Sequence, residues 1–173
     1  MNKSKLNLDN LKDYQKNVVD YLSPTSDNRA LLAYFDVGTG KTRIGSYLAI
    51  LYIDNFKKDI IIICPNSIIP IWEKEFNDLF NTYKLNSENY ISRIKYFSFE
   101  WKDNLKKNLK DSIKGTFVII DESHLFISQI MKETNVSHEF YKTFMINDEH
   151  ARAHKILMLS ATPIINSPIE LAY

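Results

Sequence analysis

The 173-residue chain has one cysteine, four glycines and five prolines, and it has no long apolar run. A single cysteine excludes an internal disulfide and a zinc site built from cysteines. Its place in the apolar run 60–64 predicts a small buried side chain for Cys64. No apolar stretch reaches the roughly 18 residues that a membrane-spanning helix needs, and the polar residues 1–5 do not form a signal peptide. We therefore expect a soluble intracellular protein in a reducing compartment, with no membrane partner.

An excess of charge of one sign is also missing. The chain has 22 Lys and Arg residues against 21 Asp and Glu residues, a net charge of +1. Such a balance gives no overall attraction to nucleic acid, so any such contact must come from a local patch. A hydrophobic share of 45% and a charged share of 25% are ordinary for a globular protein, and the length fits one domain with a proper core.

Short apolar runs alternate with helical patterns along the chain. The runs predict strands at 30–35, 59–64, 93–98, 116–120 and 155–160, all with the composition of buried strands. Periodicity predicts helices at 9–22, 42–55, 67–82, 100–113 and 137–147, and residues 123–154 are the least regular region, expected to be an elaborated surface connection. The alternation predicts an α/β fold, a three-layer domain with a mainly parallel central sheet and ligand sites at the carboxyl ends of the strands.

A glycine-rich turn follows the first predicted strand. Residues 36–42 read Asp-Val-Gly-Thr-Gly-Lys-Thr. In such a turn the backbone N–H groups of Gly38, Thr39 and Gly40 close on phosphate oxygens, and the Lys41 ammonium reaches the β and γ phosphates. The Thr42 hydroxyl is placed to hold Mg²⁺. The pattern predicts a P-loop that binds a nucleoside triphosphate.

The turn departs from the strict P-loop spacing at one position. That spacing places its first glycine at residue 35, where this chain has Phe35. The alternative is a chance glycine turn before a helix. We favour the P-loop because residues 31–35 have the pattern of a buried strand and residues 44–53 that of an apolar, buried helix.

A pair of carboxylates, Asp121 and Glu122, follows the fourth predicted strand. A carboxylate at this place in a P-loop fold completes the Mg²⁺ site, and a neighbouring one can orient and deprotonate the attacking water. Asp121 is therefore the predicted metal ligand beside Thr42, and Glu122 is the predicted base. The turn and the carboxylate pair together indicate an enzyme that hydrolyses a nucleoside triphosphate with Mg²⁺.

Further segments resemble, in order, the signature blocks of superfamily 2 helicases and translocases, most closely the Swi/Snf-like branch with its related viral DNA-dependent ATPases. Residues 11–15 read Leu-Lys-Asp-Tyr-Gln, and residues 64–76 carry Cys-Pro-Asn-Ser and Trp-Glu-Lys-Glu-Phe. Residues 121–124 read Asp-Glu-Ser-His and residues 159–167 read Leu-Ser-Ala-Thr-Pro-Ile-Ile-Asn-Ser, while the match at 96–100 is weak. The resemblance covers residues 11–171 and implies an N-terminal RecA-like domain.

The resemblance implies roles for single side chains at the two ligand sites. Gln15 would read the adenine edge of ATP, since an amide matches the donor and acceptor of adenine; an exposed glutamine on an amphipathic helix is the alternative. Asn66, Ser67 and, on the weaker block, Ser98 would contact the sugar-phosphate backbone of nucleic acid. A plain helix N-cap is a second reading of Ser67 that can hold together with the first.

The resemblance also implies a link between the sites. Ser160 and Thr162 would lie between the ATP site and the nucleic-acid groove and report the γ phosphate to it. His124 would be a coupling residue that contacts this block rather than a metal ligand, because no second histidine lies nearby at ligand spacing. Trp72 and Phe76, four residues apart, are expected to pack in the core. The lysines of 102–114 are expected to form a solvated helix face.

The resemblance implies a second RecA-like domain that residues 1–173 do not include, in cis or in trans, with an arginine finger. Residues 1–173, a single ATP-binding domain, are then expected to be nearly inactive alone. We expect the ATP-binding half of a motor that translocates on or remodels double-stranded DNA, such as a viral transcription or packaging factor. The alternatives are the motor of a restriction enzyme or RNA helicase of the same superfamily, and a non-motor module that binds nucleotide or a partner.

Overall fold

The computed structural model describes residues 6–98, 112–131 and 153–162, without the side chains of residues 129–131. Its helices are α1 (Asp13–Tyr21), α2 (Lys41–Phe56), α3 (Ile69–Tyr83), α4 (Glu88–Ile91) and α5 (Ser123–Met131), with 3₁₀ turns at Leu8–Asn10 and Asn66–Ile68. Its strands are β1 (Ala30–Tyr34), β2 (Ile60–Cys64), β3 (Ile94–Ser98), β4 (Phe117–Ile120) and β5 (Lys155–Ser160). All five strands lie where the apolar runs predicted them.

The strands form one sheet in the order β1-β5-β4-β2-β3, and every neighbouring pair is parallel. The α/β fold class with a parallel central sheet is confirmed. Because the sheet is parallel, the carboxyl ends of all five strands meet on one side of the domain, where the turns and loops that carry the predicted site begin.

Side chains cover both faces of the sheet. On one face, Ile62, Ile119 and Leu157 pack against α1, α2 and α3 in the larger core. On the other face, Ile63 and Ile120 pack with Phe126 of α5 in a smaller core. The three layers therefore follow from alternate residues of each central strand pointing to opposite faces.

Helix α2 is buried almost throughout, as its apolar composition predicted. Every residue from Ile44 to Ile50 is buried, and the residues that flank the helix, Gly40 before it and Lys57 after it, are both in the left-handed backbone region. The buried Cys64 is also confirmed.

The prediction that all five strands are buried is wrong for β1. This strand lies at an edge of the sheet, and Leu32 and Tyr34 are 39% and 51% exposed. Strand β3, at the other edge, is only half buried and exposes Lys95. An apolar run indicates a strand but does not indicate whether that strand lies at the edge or in the centre of the sheet.

Two local predictions also differ from the structure. Helix α5 occupies the start of the region expected to be irregular, since the chain turns into a helix directly after Glu122. Ser67 does not cap α3: it lies in the 3₁₀ turn, and the residue that precedes α3 is Ile68, which makes no side-chain cap.

Several predictions fall outside the described residues. These are the helix at 137–147, all but the end of the helix at 100–113, and the end of the last signature block at 163–167. Within the described residues, no helix has both the length and the apolarity of a membrane span.

Candidate functional site

The predicted P-loop connects β1 to α2 at the carboxyl end of β1. Gly38 and Gly40 have φ angles of 79° and 84°, the left-handed region that side chains with a Cβ disfavour. Gly40 directly precedes α2, and its carbonyl accepts the N–H of Ile44 at 3.1 Å. The N–H groups at the start of α2 are therefore presented at the end of the turn, as an anion site requires.

The Lys41 side chain folds over this turn. Its ammonium donates hydrogen bonds to the carbonyls of Phe35 at 3.0 Å and Asp36 at 3.1 Å. The Thr39 hydroxyl donates to the same Asp36 carbonyl at 2.7 Å. The ammonium is thus held at the P-loop by backbone oxygens, within reach of an anion bound in the turn.

Helix α1 supports the loop through two adjacent side chains. The Tyr14 hydroxyl and the Gln15 amide both donate to the Thr39 carbonyl, at 2.7 and 2.9 Å. The Gln15 Oε1 accepts the backbone N–H of Lys12 at 2.9 Å. A Cβ on Gly40 would lie 2.6 Å from Gln15 Nε2, so the glycine also makes room for this amide. Gln15 is buried rather than exposed, and its adenine role stays a prediction.

Phe35, the residue that departs from the P-loop spacing, has a defined place. Its N–H donates to the Ser160 carbonyl at 3.1 Å, which extends the pairing of β1 with β5. Its ring lies 5.3 Å from that of Tyr14, and its carbonyl accepts a hydrogen bond from Lys41. The loop keeps its glycines where φ is positive, and the side chain at 35 packs against α1 instead.

Asp121 lies at the end of β4 and is only 4% exposed. Its Oδ1 accepts the N–H of Glu122 at 2.9 Å, and its Oδ2 accepts the indole N–H of Trp72 at 3.0 Å. Burial raises the pKa of Asp121, while these two hydrogen bonds and the positive charge of Lys41 lower it. Lys41 therefore lies close enough for its charge to act on the Asp121 carboxylate, and their joint role in binding a nucleotide stays a prediction.

Glu122, the predicted base, has a φ of 50°, which is uncommon for a residue other than glycine. Its carboxylate is 26% exposed, and its Oε2 lies 3.4 Å from Nδ1 of His124. A sparsely populated backbone conformation next to buried polar groups is a frequent property of functional sites. The turn at Glu122 starts α5 and places this carboxylate beside Asp121.

His124 contacts the last signature block. Its Nδ1 lies 2.8 Å from the Ser160 hydroxyl, and its Nε2 lies 3.5 Å from the Thr162 hydroxyl. Ser160 donates to the Thr162 carbonyl at 2.8 Å and accepts the Thr162 N–H at 3.1 Å. The predicted contact between His124 and this block is present, which joins the ends of β4 and β5 through a buried polar group.

The predicted nucleic-acid contacts lie at the carboxyl ends of β2 and β3. Asn66 and Ser67 are exposed in the 3₁₀ turn that follows β2. Ser98, the last residue of β3, pairs in register with Cys64 and is fully buried. The structure therefore presents two of the three side chains to solvent on the same side of the domain as the P-loop.

The residues present fit a Mg²⁺ ion that is shared with phosphates. Thr42 offers a hydroxyl and Asp121 a carboxylate, the oxygen ligands that Mg²⁺ prefers. Among the described residues, no three acidic, histidine or cysteine side chains group into a metal site of their own. Mg²⁺ characteristically takes one or two carboxylates with substrate phosphates, which agrees with this donor set.

Sequence reasoning missed two contacts at the site. It placed Trp72 in the core, where the indole is fully buried, but nothing in the spacing indicated that its N–H meets Asp121. It also passed over Tyr14, although this residue precedes Gln15 in the matched block. The partner of a buried hydrogen-bonding group is set by long-range packing, which sequence spacing does not report.

Proteins of known sequence resemble this chain over nearly its whole length. A protein of Acanthamoeba polyphaga mimivirus, provisionally named an ATP-dependent RNA helicase, is 29% identical over 181 residues, which cover 94% of this chain and 22% of that protein. Nucleoside triphosphatase I of Heliothis armigera entomopoxvirus is 29% identical over 171 residues, which cover 91% of this chain and 25% of that protein. The chain thus spans about a quarter of the length of these relatives.

A solved structure shares the fold. The Sulfolobus solfataricus SWI2/SNF2 ATPase core in complex with dsDNA superposes with a TM-score of 0.64 at 19% sequence identity, covering 93% of this chain and 34% of that one. A family model described as "Type III restriction enzyme, res subunit" matches residues 8–165. The glycine turn, the Asp-Glu pair and the parallel sheet that joins them agree with that match. The chain therefore belongs to this family and is a RecA-like domain of the superfamily 2 helicase type.

Proposed function

We propose that the chain is the ATP-binding half of a motor that hydrolyses ATP to move along or remodel double-stranded DNA. The observation that carries the proposal is the site at the carboxyl ends of β1, β4 and β5. There Lys41 lies over the glycine turn, Asp121 is buried at the end of β4, and His124 connects Glu122 to Ser160. A motor that changes conformation with the state of its γ phosphate needs both a phosphate site and a connection from that site to the rest of the domain.

Each end of the nucleotide has residues to receive it. Gly38, Thr39 and Gly40 offer backbone N–H groups to phosphate oxygens, and Lys41 can exchange its carbonyl partners for phosphate. Thr42 and Asp121 would hold Mg²⁺, which supplies positive charge against the phosphates when bound. Gln15, already hydrogen-bonded to the loop, has one amide N–H and one oxygen lone pair left for the adenine edge.

Glu122 is the group placed to act on water. Its carboxylate is partly exposed and lies beside the Asp121 carboxylate, so it can accept a proton from a water molecule aligned with the γ phosphate. An arginine finger typically contributes about 10³–10⁵ in rate. Since we expect that group on a second RecA-like domain, residues 1–173 alone should bind ATP weakly and hydrolyse it very slowly.

His124 would carry the signal between the two sites. A change at the γ phosphate alters the position of Glu122, which lies 3.4 Å from His124 Nδ1. The same nitrogen contacts Ser160 at 2.8 Å. A shift of the Glu122 carboxylate can therefore be passed to the end of β5.

Titration with a fluorescent ATP analogue tests the nucleotide site on the 173-residue chain. Lys41→Ala should abolish measurable binding because it removes the cation at the phosphates. Lys74→Ala, an exposed lysine of α3, should bind as the unaltered chain does. Equal affinity in all three proteins would rule out the assignment of Lys41.

The nucleic-acid surface would include Asn66 and Ser67, which are exposed on the same side as the P-loop. Such side chains can contact phosphates of any sequence, so binding should be independent of sequence and weaken with salt. In the intact motor, the Asn66→Ala and Ser67→Ala double variant should lose a few-fold of its DNA-stimulated ATPase rate and keep its basal rate. Asn77→Ala, an exposed amide further along α3, is the matched control.

The choice of polymer separates the proposal from its alternatives. The solved structure bound to dsDNA supports a duplex-DNA motor, whereas the mimivirus relative carries an RNA helicase name. Stimulation of ATPase activity by duplex DNA over single-stranded RNA is the expected result. Stimulation by RNA alone would favour an RNA helicase, and nucleotide binding without turnover in the intact protein would favour a non-motor module.

A further inference from the structure

The indole of Trp72 reaches from the first turn of α3 to the end of β4. The side chain is fully buried, and its N–H donates to Asp121 Oδ2 at 3.0 Å. An indole has one hydrogen-bond donor and no acceptor, and here that donor bonds to the Asp121 carboxylate. A core tryptophan needs some acceptor for its N–H, but here the acceptor is the residue predicted to bind Mg²⁺.

The two hydrogen bonds on Asp121 come from different directions in the chain. Oδ1 is held by the N–H of Glu122, its neighbour, whereas Oδ2 is held by Trp72 from α3. Together they fix the rotation of the carboxylate plane, and each oxygen keeps a second lone pair for another ligand. Without the indole, the bond to Glu122 would be the one remaining hydrogen bond on this carboxylate among the described residues.

The indole also fixes the position of the P-loop helix. A Cβ built on Gly45 of α2 would lie 2.5 Å from Cη2 and 3.1 Å from Cζ3 of Trp72, and 3.5 Å from Cδ1 of Ile119 in β4. Glycine in a helix interior lowers helix stability relative to alanine, so its presence here needs a packing reason. The indole supplies that reason, because it passes over Gly45 between α2 and β4.

One side chain thus contacts the predicted metal ligand Asp121 and the helix that carries the other predicted ligand, Thr42. Thr42 lies one turn before Gly45 on α2, and Asp121 directly follows β4, the strand that contains Ile119. We propose that Trp72 is a positioning residue that holds the Asp121 carboxylate in register with the start of α2, so that Mg²⁺ brought with the nucleotide finds its ligands in place. This inference rests on the proposed nucleotide site and adds a residue to it.

The first test measures how binding depends on the metal. A fluorescent ATP analogue is titrated into the 173-residue chain at increasing Mg²⁺ and again in EDTA. Trp72→Phe keeps the aromatic packing and removes the N–H. This variant should raise the Mg²⁺ concentration at half-maximal nucleotide binding roughly tenfold, because the metal-binding carboxylate loses a hydrogen-bond partner. The nucleotide affinity in EDTA should be unchanged. Gly45→Ala, which keeps the N–H but displaces the ring, should shift the Mg²⁺ dependence in the same direction.

A matched control separates positioning from packing. Phe76 lies beside Trp72 with ring centres 6.1 Å apart and is equally buried. Phe76→Leu should lower the thermal midpoint of unfolding and leave the Mg²⁺ dependence as it was. If Trp72→Phe leaves the Mg²⁺ dependence within twofold while Asp121→Asn weakens it, the indole is only a core residue and the proposal is overturned.

A second measurement works even where Trp72→Phe does not fold. The chain has two tryptophans, so Trp101→Phe leaves Trp72 as the sole indole emitter. In that background Asp121→Asn should change the Trp72 emission, because its N–H loses a carboxylate; unchanged emission overturns the proposal. An unaltered chain that binds no nucleotide with Mg²⁺ would instead count against the proposed function, and the emission comparison would still test the contact with Asp121 on which the positioning role of Trp72 depends.

Discussion

Basic side chains at the amino ends of the strands hydrogen-bond to backbone carbonyls of nearby loops. The carboxyl ends have bonds of this kind as well, from Lys41, Tyr14 and Gln15, but there acidic, hydroxyl and imidazole groups also contact one another. The Lys155 ammonium donates to the carbonyls of Ser23 and Ser26 at 2.7 and 2.6 Å. Arg93 donates to the Lys57 carbonyl at 2.7 Å. In this way the amino ends join loops that would otherwise expose unpaired carbonyls.

The polar groups at the carboxyl ends of the strands are arranged at a cost in free energy. Asp121 is buried at the cost of a raised pKa, and Glu122 has a left-handed backbone. Neither arrangement is what stability alone would select, because desolvating a carboxylate and twisting a backbone both cost free energy. The amino ends also hold a buried charge, Lys155, and a left-handed residue, Lys57, so the two sides differ in the partners of their polar groups, and the carboxyl side is the one that we propose for chemistry. Variants on the two sides should therefore separate stability from activity.

The largest expected effect is on turnover. Glu122→Gln, in the intact motor with its second RecA-like domain, should keep nucleotide binding and lower the ATPase rate by about 10²–10⁴-fold, because the amide cannot accept the proton. Steady-state ATPase assays with the same analogue titration measure both quantities. Glu73→Gln, an exposed acid on α3, serves as the control. Turnover within a few-fold of the unaltered protein would place the base elsewhere.

A smaller effect is expected at the adenine end. Gln15→Ala should reduce the discrimination between ATP and GTP by about 1–3 kcal/mol, by analogy with paired contacts to a base edge. The matched variant is Tyr14→Phe, which removes only the other hydrogen bond to the Thr39 carbonyl. It should weaken ATP and GTP equally. Competition titrations with ATP and GTP measure both affinities. If Gln15→Ala also weakens the binding of ATP and GTP equally, Gln15 only supports the loop and does not read adenine.

The smallest expected effect is a loss of stability on the opposite side of the sheet. Burial lowers the pKa of Lys155, and the Asp27 carboxylate opposes that shift. Lys155→Met should lower the free energy of unfolding by about 1–2 kcal/mol, because it leaves the carbonyls of Ser23 and Ser26 without this donor. Urea denaturation measures the loss.

The same variant tests the separation of the two sides. Lys155→Met should bind the ATP analogue as the unaltered chain does, since Lys155 lies at the amino end of β5. Lys74→Met, on an exposed face of α3, should change stability by no more than about 0.5 kcal/mol. A weaker nucleotide affinity in Lys155→Met than in Lys74→Met would break the comparison and would mean that the amino ends also shape the site.

Much of the fold could be predicted because its signals are local. Strands β2 and β4 are buried on both faces, so they appear in the sequence as unbroken apolar runs, 60–64 and 117–120. The same rule failed at β1, which has a similar run but lies at the sheet edge. Helix α5 was missed because Glu122, directly before it, turns the chain with a backbone conformation that residue type does not predict.

The sequence by itself determined the glycine turn, the Asp-Glu pair and the alternation of strands and helices, because each depends on residues next to one another in the chain. The tertiary structure alone decided the order of the strands and the choice of Trp72 as the partner of Asp121. The physical reason is that a buried donor or acceptor takes whichever partner the packing brings within about 3 Å, and that partner is set by helices and strands far apart in sequence.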